Sequence, residues 1–131
     1  MAQYDTLPVY KASYDLMLSV FEFCRHFRKE YKYTLGEKLK NETLEMIMNI
    51  YRANSTTEKS KLLQSARENI EVVRLLFRLT KDLKLIPLNK FIEINERIEN
   101  ISKQLTGWQR SARSNTSSVV SRRKRFWPSK R

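Results

Sequence analysis

The chain has 131 residues, with 26 Lys or Arg against 14 Asp or Glu, for a formal net charge of +12. That length holds one domain with a real core and no more. So strong a positive charge favours nucleic acid, acidic proteins or anionic membrane surfaces as partners and says nothing of fold.

Only two glycines and three prolines punctuate the chain, which argues against a sheet protein with its many turns. Cys24 is the single cysteine, so no intrachain disulfide forms, in keeping with a reducing compartment. The N-terminus lacks a basic start followed by an apolar run, and no apolar stretch approaches the roughly 20 residues that span a bilayer. The expectation is a cytoplasmic protein with no membrane partner.

The first predicted helix runs from Pro8, suited to a first helical turn, to about Glu30. Tyr10, Tyr14, Met17, Phe21 and Cys24 repeat at spacings of four and three. Leu16, Val20, Phe23 and Phe27 widen the same apolar face. Residues 31–34 read as the connection, with Thr34 as N-cap and Glu37 three residues later in a capping-box pattern.

The second helix follows from about Leu35 to Ala53. Leu35, Leu39, Met46, Ile50 and Ala53 line one side; Leu44, Met48 and Tyr51 form a smaller apolar set that reads as a contact surface. Asn54-Ser55-Thr56-Thr57 is a turn cluster rich in capping residues.

The third helix, Lys59 to Asp82, carries a wide apolar face and a narrow basic stripe. Leu62, Ala66, Ile70, Val72, Val73, Leu76, Phe77, Leu79 and Leu83 fill nearly half its circumference. An ordinary surface helix needs an apolar stripe of only about 100°, so the excess predicts a second buried contact, such as another subunit. Arg67, Arg74, Arg78 and Lys81 project within about 80° of one another at roughly 100° per residue. A row of cations there suits a phosphate-bearing partner; Glu71 lies in the stripe and is spaced to pair with Arg67 or Arg74.

Pro87 ends that segment, and the fourth helix starts near Leu88. Phe91, Ile94, Ile98, Ile101, Leu105 and Trp108 alternate spacings of three and four, leaving polar residues on the other faces. Short connections make neighbours antiparallel. The predicted fold is all-α: an up-down-up-down antiparallel four-helix bundle over residues 1–110.

From Arg110 the sequence turns to Ser, Arg, Asn and Thr without helical periodicity, and residues 111–131 read as a basic, disordered tail. Residues 108–131 hold 8 Lys or Arg and no acid, two thirds of the excess charge. Arg122, Arg123, Lys124 and Arg125 adjoin Phe126 and Trp127. The cations supply salt-dependent attraction to phosphates, and the rings suit stacking on unpaired bases. These residues join the Arg67/Arg74/Arg78/Lys81 stripe as candidate nucleic-acid contacts.

The inventory for catalysis is poor. His26 is the only histidine and falls on the polar side of its helix. No Cys/His cluster has metal-ligand spacing, and no Gly-rich loop is present to cradle phosphate. Glu42, Glu45, Glu93, Glu96 and Glu99 read as solvated faces. The expectation is a non-enzymatic protein without cofactor or metal.

Three segments carry a family resemblance: Tyr33-Thr34-Leu35-Gly36 opening the second helix, residues 71–83 in the third, and Phe91 with Leu105-Thr106-Gly107-Trp108 in the fourth. In order and spacing they resemble the accessory variability determinants, four-helix-bundle proteins of diversity-generating retroelements, over about residues 8–110. Proteins encoded in intervening sequences of 23S ribosomal RNA genes are similar in fold but match these segments less well. The resemblance implies a homopentameric barrel with a basic surface. Its implied partners are the element's reverse transcriptase and template RNA or complementary DNA, and its implied role is support of mutagenic copying of a template repeat into a target gene. On that basis Arg74 and Arg78 are the matched basic candidates. The alternative is an oligomeric helical adaptor acting through protein contacts only.

Overall fold

The computed structural model describes the backbone of residues 7–126 and the side chains through residue 113. The helices are α1 (Pro8–Arg25), the single turn α2 (Lys29–Tyr31), α3 (Glu37–Asn54), α4 (Lys59–Asp82) and α5 (Leu88–Phe126), with a π-helical turn over Lys32–Gly36 joining α2 to α3. The four long helices form the expected antiparallel bundle: α1 packs on α3, α3 on α4, α4 on α5, and α5 closes the ring on α1. No strand occurs among the described residues.

The core is the inner stripe of each helix. Leu16 and Val20 of α1, Leu39, Met46 and Ile50 of α3, Leu63, Ile70 and Val73 of α4, and Ile98, Ile101 and Leu105 of α5 are fully buried. Each contributes about 1.5–3 kcal/mol of transfer free energy, so this stripe outweighs any surface ion pair. Phe23 of α1 meets Phe77 of α4 edge-on, with centroids 6.4 Å apart. Leu63, absent from the apolar face read in the sequence, belongs to this core, while Leu75 and Leu79 stay exposed.

Two boundaries differ from expectation. The first helix ends at Arg25, not Glu30, because the chain reverses at residues 26–28: His26 and Phe27 donate to the carbonyls of Phe23 and Cys24, and Arg28 is extended at φ −60, ψ 153. Phe27 fits a helical face and a buried loop equally well, and its burial inside the turn wins. The expected capping box also does not form. Helix resumes at Lys29, so Thr34 lies inside the π turn and its hydroxyl donates to Glu30 O at 3.0 Å. Glu37 instead pairs with Lys40 at 3.0 Å.

The backbone helix α5 runs past Arg110 to Phe126, and Gln109 and Ala112 are buried. The inner stripe therefore runs one turn beyond Trp108, which packs at the edge of the core beside a cleft lined by Leu7, Asn54, Ser55 and Lys59. Among the described residues, no helix is long and apolar enough to cross a membrane.

A buried polar pair crosses the α3–α4 contact. Asn49 Nδ2 donates to Asn69 Oδ1 at 3.0 Å, and Asn69 Nδ2 donates to Glu42 at 3.0 Å and Glu45 at 3.4 Å. Glu42 is thus not the freely solvated side chain expected: Asn69 and Lys38, at 3.1 Å, hold it. Polar groups so placed favour the one register in which all are satisfied.

Candidate nucleic-acid interface

The basic stripe of α4 lies along the seam with α5. Core positions Ile70, Val73 and Phe77 turn one face of α4 inward, which leaves Arg67, Arg74, Arg78 and Lys81 beside the neighbouring helix. Contacts to α5 are made by Arg67, Arg74 and Lys81, and the four residues do different work.

Arg67 is drawn inward. Its Nη1 donates to Gln109 Oε1 at 2.6 Å, while Gln109 Nε2 donates to Ser60 O at 3.2 Å and Gln64 Oε1 at 3.1 Å. Gln109, 2 % exposed, has its whole amide satisfied by α4. Arg67 completes a half-buried network that ties the first turns of α4 to α5 at Gln109, so its charge serves the fold first.

Arg74 is also committed. Its Nε and Nη2 donate to Glu71 at 3.1 and 3.3 Å, and its Nη1 pairs with Glu99 across the seam. Partial burial works against the charged guanidinium, but the hydrogen bonds and charges of Glu71 and Glu99 outweigh it and hold the pKa above the ordinary arginine value. Glu71 is further tied to Ser102 Oγ at 3.5 Å. A residue with two carboxylate partners is a weaker phosphate ligand than an unpaired one, because binding must first break those pairs.

Arg78 and Lys81 are the freer pair. Arg78 is exposed, and no carboxylate pairs with it among the described residues. Lys81 stands over the Phe91 ring, 5.0 Å from its centroid, and lies 3.6 Å from Asp82. Phosphate attraction along the seam therefore centres on Arg78, with Lys81 beside it. Sequence reasoning missed Gln109 and the role of Glu99 because both partners come from α5, distant in sequence. The only available signal was that Gln109 follows the apolar stripe by one residue.

The tail candidates are placed in part. The backbone of residues 122–126 lies in α5; the side chains of Arg122, Arg123, Lys124, Arg125 and Phe126, and all of Trp127, lie outside the described residues. His26 is exposed, as expected, with Nε2 3.2 Å from Glu22, and the contacts and charges of His26 and Arg25 lower the Glu22 pKa. Cys24 is a core residue, as expected: burial pushes its thiol up to about 11, and Sγ sits 3.6 Å from Gly36 O.

A second surface is apolar. Tyr14 and Phe21 of α1 and Leu44, Met48 and Tyr51 of α3 are each 41–46 % exposed. Lys40 bridges the two helices, its Nζ 5.6 Å from the Phe21 ring centroid. The wide apolar arc read on α1 and the smaller set read on α3 thus sit on adjacent helices. On α4, Leu75 and Leu79 are exposed as well.

A family model described as bAvd-like matches residues 8–112. No curated protein matches the chain.

Proposed function

The chain belongs to the bAvd-like family, and we propose that it is a non-enzymatic accessory protein of a diversity-generating retroelement, binding nucleic acid and the element's reverse transcriptase to support mutagenic copying. The membership agrees with the resemblance to accessory variability determinants read from the sequence. The observation that carries the nucleic-acid part is the unpaired Arg78 on the α4–α5 seam, with Lys81 next to it, on a chain of formal charge +12. Cations held on a rigid helix attract phosphates without regard to sequence, which suits a partner that handles template RNA and its complementary DNA.

The apolar surfaces supply the second half of the reading. Tyr14, Phe21, Leu44, Met48 and Tyr51 remain open after the bundle has closed, and open apolar patches of this kind mark protein contacts. In this reading, self-association into a ring, with five subunits as the resemblance implies, covers such a surface in every subunit and brings the basic stripes of several copies into one assembly. Additive phosphate contacts then steepen the salt dependence.

Fluorescence anisotropy with labelled single-stranded RNA over a salt series tests the nucleic-acid reading. Affinity is expected to fall linearly with log salt, and light scattering is expected to report an oligomer at micromolar concentration. An oligomer with no affinity for RNA or DNA at low salt overturns the nucleic-acid part and leaves a helical adaptor acting through protein contacts.

A further inference from the structure

The turn between α1 and α3 gathers a charge and an aromatic ring that the seam does not account for. Residues 25–33 hold four Arg or Lys against one Glu, together with Phe27, Tyr31 and Tyr33. Their burial divides them sharply. Phe27 is in the core, whereas Arg25, Arg28, Lys29 and Tyr33 are exposed and Lys32 is half-buried.

The π turn explains why Tyr33 faces water. Over Lys32–Gly36, Leu35 and Gly36 are buried. A Cβ placed at Gly36 lies 3.5 Å from Phe27 Cδ2 and 3.6 Å from Cys24 Sγ, so this side of the turn is seated on the end of α1. Tyr33 is left on the open side, 65 % exposed. Thr34 caps Glu30 O at 3.0 Å and fixes the backbone that carries the ring. A large aromatic side chain held open on an ordered turn keeps a planar apolar face in water, where burying it against a planar ligand is favourable.

The cations around it are unequal. Arg25 pairs with Glu22 at 3.0 Å, and Arg28 lies 3.7 Å from Glu30 and over the Tyr31 ring at 5.3 Å. Lys29 and Lys32 have no carboxylate partner among the described residues. They stand four residues and one residue before Tyr33, so two ammonium groups without a carboxylate partner among the described residues share one short turn with an exposed ring.

The turn is far from the charged end of α5. Helix α1 runs toward the turn, antiparallel α5 starts at the same pole, and α5 leaves the bundle at the other. A strand lying along the bundle has the seam between these poles.

Resting on the nucleic-acid reading above, we propose that the α1–α3 turn is a contact for unpaired nucleic-acid strand, with Tyr33 stacking on a base and Lys29 and Lys32 holding the adjacent phosphates. A duplex keeps its base faces covered, so the ring discriminates single strand from duplex while the lysines do not.

The test uses the full chain, a labelled mixed-sequence single-stranded RNA and a duplex of the same length. Tyr33→Ala is expected to weaken single-strand binding about tenfold with duplex binding unchanged, and Tyr33→Phe to restore it. Lys29→Ala with Lys32→Ala is expected to weaken both ligands and to reduce the salt slope by about two. Circular dichroism of each variant is expected to match the wild type, because Tyr33 is outside the core. Wild-type-like single-strand binding by Tyr33→Ala overturns the proposal alone. A wild-type protein that binds no strand overturns the nucleic-acid reading and this proposal with it. Loss of reverse transcriptase recovery by Tyr33→Ala, with RNA binding intact, overturns the proposal and makes the turn a protein contact.

Discussion

Arg74 on α4 pairs with Glu99 on α5, whereas Arg78, one turn further along the same stripe, meets no carboxylate among the described residues. The two arginines share a face in sequence and part company in structure, which makes their substitutions separable. Arg78→Ala is expected to lower RNA affinity and reduce the salt slope by about one, with the melting temperature unchanged. Arg74→Ala is expected to change the salt slope less and to cost about 0.5–1 kcal/mol of stability, a modest figure because both carboxylates are well exposed to solvent. Anisotropy titrations and thermal unfolding of the two variants decide between these outcomes.

The buried Asn49–Asn69 pair should be worth more intact than its hydrogen bond alone suggests. Asn69→Leu leaves the Asn49 amide buried without its acceptor, and Asn49→Leu leaves Asn69 Oδ1 without its donor. Each single variant is expected to lose about 1–3 kcal/mol. The double variant should lose less than the sum, because neither orphan then remains. Urea unfolding of the three proteins gives the coupling.

Truncation should be sensitive to a few residues near the end of the bundle. A chain ending at residue 113 keeps Gln109 and Ala112 and is expected to retain the folded bundle and its melting temperature, with the helical signal lowered only by the residues of α5 removed, while losing RNA affinity and part of its salt dependence. A chain ending at residue 108 removes the acceptor of Arg67 and is expected to melt several degrees lower. Circular dichroism melts and RNA titrations of both truncations check this.

Much of this arrangement was legible in the sequence, for identifiable reasons. The starts of α4 and α5 are plain because Lys59 follows a cluster of turn residues and Leu88 follows Pro87. The inner stripe of α5 is plain because Ile94, Ile98, Ile101 and Leu105 sit among polar neighbours. The break at residues 26–28 was not legible, since Phe27 satisfies the apolar periodicity whether or not the helix continues. The Thr34/Glu37 pattern misled because a cap signal has meaning only if helix has not already begun, and here it begins at Lys29. The division of labour among Arg67, Arg74 and Arg78 depends on Gln109 and Glu99, and a single helix's pattern does not contain its neighbour's side chains.

Two substitutions should stabilise the bundle without touching the interface. Leu85 N–H donates to Thr80 O and Lys84 N–H to Lys81 O at the end of α4, which places Lys84 at φ 61 in a closing turn usually filled by glycine. Lys84→Gly is expected to gain about 0.5–1 kcal/mol by relieving that conformation. Gly107 lies within α5, and a Cβ there has nothing within 4 Å, so Gly107→Ala is expected to gain a similar amount, about 0.5–1 kcal/mol. Thermal unfolding of each variant measures both.

Cys24 should be chemically silent in the folded protein. With its thiol pushed up to about 11 by burial, the thiolate is about one part in a thousand at pH 8. Alkylation by iodoacetamide is expected to be negligible under native conditions and complete in denaturant. Fast native labelling would show that the α1–π-turn contact opens.

The most direct measurement is affinity co-purification of the full chain with the reverse transcriptase of the proposed retroelement, with and without ribonuclease. Enzyme and RNA are expected to elute with the protein, and the enzyme to stay bound after the RNA is digested. Recovery of the protein alone, with neither enzyme nor RNA, would contradict the proposed function.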